Sequence, residues 1–169
     1  MSNIFIIAEA GVNHQGSLDM ALRLVDSAVA AGADAIKFQT FRAKSLTTSK
    51  AEMAQYQVEN TGHVRTQLEM LSELELSLEE HFIIAEYCRN VGIVFMSSPF
   101  DVESVDALAS LGLDTFKIPS GEITNLPYLE KIGSLRKRVI MSTGMATLDE
   151  VGLALHVLRQ TGTEDVAGL

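Results

Sequence analysis

The 169-residue chain carries 22 acidic against 13 basic residues, a formal net charge of -9 and no basic run, which argues against nucleic acid or an anionic membrane as partner. Its length can bury the core of one domain, and no apolar stretch reaches the roughly 18 residues a membrane helix needs. The single cysteine, Cys88, cannot close an internal disulfide and fits a cytoplasmic location, and the opening residues lack the basic start of a signal peptide.

In chain order, five short runs rich in Ile, Val and Phe read as strands, at residues 4–8, 35–38, 93–96, 115–118 and 139–141. Amphipathic stretches between them read as helices. The first starts at Leu18 behind a Ser17 cap, and the second spans 78–88 behind Ser77, with Glu80 placed to close a capping box. Others fall at 102–110, around 126–132 with Pro127 in the first turn, and at 148–160. Gly32, Gly92 and Gly112 stand where helices should stop. Between the second strand and its helix lies a long polar insertion, about 42–76, expected at the C-terminal mouth of the strands. A sixth strand is expected to begin within the last few residues, 162–169.

Strand–helix alternation predicts a parallel α/β sheet. An open doubly wound sheet gathers ligand groups from two or three strands, whereas a barrel rings one site with the ends of all of them. Here every strand ends in chemistry: Glu9; Lys37 and Gln39; Ser97 and Ser98; Lys117, Ser120 and Glu122; Ser142 and Thr143. No GxGxxG opens the first helix, so a dinucleotide fold loses its main support. The pattern favours a (β/α)8 TIM-barrel type. It is apparently incomplete, because about five βα units in 169 residues compare with about 250 residues for a typical barrel.

A lysine inside an apolar strand needs an anion or a solvated mouth for its ammonium. Lys37 sits between Ile36 and Phe38, and Lys117 between Phe116 and Ile118. Strand alternation turns Lys37, Gln39 and Phe41 to one side. Taken singly each lysine reads as a snorkelling or ion-paired residue, but two at strand ends select a small dianion. Ser97-Ser98-Pro99, Pro119-Ser120-Gly121 and Ser142-Thr143-Gly144 could be ordinary turns or could supply donors to the same anion. Glu9 and Glu122 are the carboxylates best placed for acid–base or sugar contacts, with structural ion pairing as the alternative. Of the histidines, His14 is expected near the site, His63 sits in the insertion, and His81 and His156 read as surface or packing residues of helices. No metal constellation is visible, nor an HExxH, a paired CxxC or a GxSxG.

The motifs IAEAGVNHQG (7–16), IKFQT (36–40), SSPF (97–100), KIPSGE (117–122) and MSTGM (141–145) together resemble the sialic acid synthase family, the N-acetylneuraminate synthases and their legionaminate and pseudaminate relatives. The resemblance runs through nearly the whole chain and makes residues 1–169 the N-terminal part of a TIM-barrel synthase domain. It implies a transferase that condenses phosphoenolpyruvate with an N-acetylated aldose, such as N-acetylmannosamine, giving a nine-carbon 2-keto sugar acid and phosphate. By the same resemblance Lys37, Ser98, Lys117, Ser120 and Ser142 hold phosphoenolpyruvate, Gln39 and Glu122 contact the sugar, and Glu9 borders the reacting centre. It further implies a divalent cation (Mn2+ or Mg2+) that polarises the aldehyde, with ligands expected beyond Leu169, and a homodimer. A phosphoenolpyruvate-dependent 3-deoxy-ulosonate phosphate synthase is the alternative, for which Arg42, Lys44, Lys50 and Arg65 offer a second phosphate site. A third reading is an inactive truncated half-barrel with an exposed sheet edge.

Overall fold

The computed structural model of the chain describes residues 4–47 and 66–169. Strands β1 (Ile7–Gly11), β2 (Ala35–Thr40), β3 (Val94–Pro99), β4 (Thr115–Ile118), β5 (Arg138–Met141) and β6 (Val166–Gly168) alternate with helices. These are α1 (Leu18–Ala30), α2 (Ala43–Leu46), α3 (Gln67–Leu74), α4 (Leu78–Val91), α5 (Val102–Ser110), α6 (Leu126–Ser134) and α7 (Leu148–Thr161). The expected start signals operate as chemistry requires. Ser17 Oγ accepts the Met20 N–H, and Ser77 with Glu80 closes a reciprocal capping box at the head of α4. Pro127 falls in the first turn of α6. The glycines expected to end helices, Gly32, Gly92 and Gly112, all carry positive φ (75°, 82° and 76°).

All pairings among the described strands are parallel, in two sets ordered β1-β2-β3 and β4-β5-β6, and β3 lies beside β4. The result is a six-strand arc of an α/β barrel, including the sixth strand expected near the end of the sequence. Period-two alternation divides each strand between two environments. Ile36 and Phe38 turn outward and pack with Ala21, Val25 and Ile84 of α1 and α4. Phe116, Ile118, Val139 and Met141 turn outward against Leu108, Ile132 and Leu158 of α5, α6 and α7. On the inner side only a small apolar cluster forms, Ala35, Met96 and Ile140 with Ile7 and Ala167. Above it, toward the strands' C-terminal ends, the inner face turns polar.

The strand limits differ from those read from apolar runs. β1 starts three residues late, since pairing begins only where Ile7 meets Ala35, and Ile4 before it is 85% exposed. β2 and β3 extend through Gln39-Thr40 and Ser97-Ser98-Pro99, because the backbone ladder continues after the side chains become polar. Phe41 lies past the end of β2 and is buried away from the inner pocket, so the alternation expected to carry it inward stops at Thr40. Of the 42–76 insertion, α2 and α3 are seen, while Lys50, His63 and Arg65 lie outside the described residues.

Candidate active site

The inner polar face forms a pocket of about 590 Å³ at the C-terminal ends of the strands. Its wall takes Glu9 and Gly11 from β1, Lys37 and Gln39 from β2, Ser98 from β3 and Lys117 from β4. Ser120 and Ser142 join from the turns that follow β4 and β5. Register explains the convergence. Glu9 stands opposite Lys37 and Gln39 opposite Ser98, and residues paired across parallel strands project to the same face. A bulge after Glu9 lets Gly11 pair with Phe38, which turns the chain over the pocket's rim.

Both lysines are buried, 9% and 6% exposed, yet differ in their partners. Lys37 Nζ forms an ion pair with Glu9 Oε2 at 2.5 Å and reaches Ser98 Oγ at 3.5 Å. Lys117 Nζ donates to the Ile118 carbonyl at 2.9 Å and to Ser142 Oγ at 2.5 Å, with no carboxylate in contact among the described residues. Burial, and then the neighbouring Lys37 ammonium, lower the Lys117 amine to about 8, against a partial pull upward from Glu9. An amine held in this state gains most from an incoming anion, which would supply the countercharge its surroundings lack.

Seven of the eight residues expected in the site therefore line one pocket. Glu122 does not. It ends the 3-10 turn Ser120–Glu122, which directs Ser120 to the pocket and carries Glu122 past it, where its Oε2 accepts the Asn125 side-chain N–H at 2.7 Å. His14 is also displaced from its expected place beside the site. Its ring is buried against Phe38, on the helix side of β2, with centroids 6.1 Å apart. His81 is a packing residue as expected, but a polar one. Its Nδ1 donates to the Ser77 carbonyl at 2.9 Å, and its Nε2 accepts from Thr40 Oγ1, also at 2.9 Å, which in turn bonds Ser97 Oγ at 2.7 Å. Ser97 thus faces away from the pocket that Ser98 enters. His156 is exposed on α7.

Arg42, a candidate for a second anion site, is committed to carboxylates. Its Nη1 meets Glu75 at 3.0 Å and its Nε lies 3.7 Å from Glu103, while Glu75 also accepts the Ala43 N–H. Among the described residues no group of three or more His, Cys, Asp or Glu side chains could hold a metal ion. Asn13, Val12 and Phe100 line the pocket without having been singled out as contacts in the sequence. Asn13 lies within the IAEAGVNHQG motif, but strand alternation does not say where a loop residue points.

The NeuB family model matches residues 24–169. The chain belongs to the NeuB family. It is 51% identical over 164 residues to the N,N'-diacetyllegionaminic acid synthase of Campylobacter jejuni, covering 97% of this chain and 49% of that relative. The enzyme of the same name from Legionella pneumophila is 51% identical over 155 residues, covering 92% of this chain and 44% of the relative. In structure it resembles the N-acetylneuraminic acid synthetase of Leptospira borgpetersenii in complex with citrate, at 30% identity and a TM-score of 0.82 over 99% of this chain and 54% of that one. This NeuB-family chain spans about half the length of the relatives it matches. Among the described residues no helix is long and apolar enough to cross a membrane.

Proposed function

We propose that the pocket is the phosphoenolpyruvate site of a sialic acid-type synthase, which joins the enol carbon of phosphoenolpyruvate to the aldehyde of an N-acetylated aldose and releases phosphate. The observation that carries this reading is the meeting of Lys37 and Lys117 in one pocket with Ser98, Ser120 and Ser142. Two ammonium groups with hydroxyl donors suit a small dianion that combines carboxylate and phosphate. Lys117 and Ser142 already touch, so an anion oxygen between them would replace an internal contact by a charge-assisted one.

Glu9 and Gln39 border the reacting centre on the opposite wall, where neutral and acceptor groups suit hydroxyls of the aldose. Glu122 is assigned no contact in the pocket as it stands; its proposed role toward the sugar requires release of its bond to Asn125. The divalent cation of the proposed reaction receives no ligand from the described residues, and no step is routed through it. The aldose is N-acetylmannosamine or a relative with further acetamido groups, the latter suggested by the names of the relatives at 51% identity. A cytoplasmic homodimer completes the proposal. The ulosonate phosphate alternative loses support from Arg42, which Glu75 and Glu103 already occupy.

Calorimetric titration of the chain with phosphoenolpyruvate tests the reading. It predicts saturable binding that inorganic phosphate competes away, and absence of binding at millimolar ligand would contradict it. The catalytic half is tested by phosphate release that requires phosphoenolpyruvate and the aldose together.

A further inference from the structure

The β1–α1 loop behind the rim is held in a conformation that its own composition disfavours. Gln15 has φ 51°, in the left-handed region that side chains rarely enter, and Gly16 follows at φ 71°. A Cβ at Gly16 would lie 2.1 Å from the Glu73 carbonyl, so the loop is pressed against the last turn of α3 and only glycine fits. His14 Nδ1 accepts the Gly16 N–H at 3.1 Å, which in the neutral ring leaves the proton on Nε2. That Nε2 is buried with no hydrogen-bond partner among the described residues. An apolar ring would avoid an unpartnered donor, so the bond from Gly16 to Nδ1 is what histidine adds here.

Immediately before this clamp stands Asn13, exposed on the pocket wall, its backbone N–H fixed to the Ala10 carbonyl at 3.0 Å. Among the described residues its side-chain amide has no hydrogen-bond partner, which leaves one acceptor and two donors for a ligand. We propose that Asn13 is a further substrate-binding residue, facing a hydroxyl or acetamido group of the neutral co-substrate, and that His14 is the positioning residue that holds it there. The charge distribution selects the neutral partner. Asn13 shares the β1 side of the pocket with Glu9, whose carboxylate and the Lys37 ammonium offset each other, whereas Lys117 faces it from β4 and Ser142 from the turn after β5, bonded to each other and, among the described residues, to no carboxylate. This inference rests on the synthase reading and names a residue that would recognise its second substrate.

The test is paired titrations of the chain with phosphoenolpyruvate and with N-acetylmannosamine. Asn13→Ala should weaken the aldose about tenfold and leave phosphoenolpyruvate within about twofold. His14→Leu should produce the same selective loss, and His14→Asn, whose carboxamide oxygen can replace Nδ1 as acceptor, should restore aldose binding to within about twofold of wild type. Asn13→Ala with unchanged aldose affinity, equal weakening of both ligands, or His14→Asn no better than His14→Leu would each overturn the inference. Wild type that binds phosphoenolpyruvate but not the aldose overturns this inference alone, and wild type that binds neither overturns the synthase reading with it.

Discussion

The two sides of the pocket carry the same kind of side chain in opposite electrical states. On the β1–β2 side Lys37 is matched by Glu9, and the pair is nearly self-contained. On the β4–β5 side Lys117 has, among the described residues, only a carbonyl and a hydroxyl as partners, and its amine is pulled down to about 8 by burial and by Lys37. An ion pair in place satisfies a charge, whereas an ammonium bonded only to neutral oxygens remains available to a ligand. On the proposed reading, the anion's strongest contact belongs at Lys117 and the neutral substrate nearer Glu9.

The largest expected effect comes from breaking the unmatched side. Lys117→Met should weaken phosphoenolpyruvate on the order of 100-fold, the scale of a lost charge-assisted contact. The same change should leave thermal stability unchanged or raised. The sign follows from the lowered pKa: between about 8 and the ordinary lysine value of 10.5 the unfolded chain holds more of this proton than the folded one. Folding therefore opposes the charge below that window, and stability rises with pH through it. Lys37→Ala should cost less binding, about tenfold, since Glu9 already draws that ammonium. Its melting temperature should fall, because Glu9 loses its partner.

Two smaller effects sharpen the contrast. For the wild type, phosphoenolpyruvate affinity should decline as pH rises above about 8, where Lys117 loses its proton, and titrations across that range measure it. Glu9→Gln should tighten phosphoenolpyruvate by a few-fold, about 1 kcal/mol or less, because Lys37 is freed from its countercharge.

The order of elements was legible because helix starts carry local chemistry, as at Ser77 and Glu80, and because Ile36, Phe38, Phe116 and Ile118 mark the outward face. The pocket was legible for a related reason. In a strand, a lysine between two outward apolar residues has one direction left. Where the chain leaves the ladder that rule ends. Nothing in the sequence around Glu122 shows that a 3-10 turn will carry it past the pocket, nor that left-handed residues after Asn13 will bury His14 and expose its neighbour. The strand ends were obscured for the opposite reason. Thr40, Ser97 and Ser98 interrupt the apolar signal while their backbone remains paired.

The most direct test of the central claim compares phosphoenolpyruvate titrations of wild type, Lys117→Met and Lys137→Ala. Lys137 is a half-buried lysine paired with Asp114, in the turn before β5 and away from the pocket. A loss on the order of 100-fold at Lys117 with less than about twofold change at Lys137 is the predicted result. Equal affinities in all three proteins would contradict the assignment of this pocket to the anion.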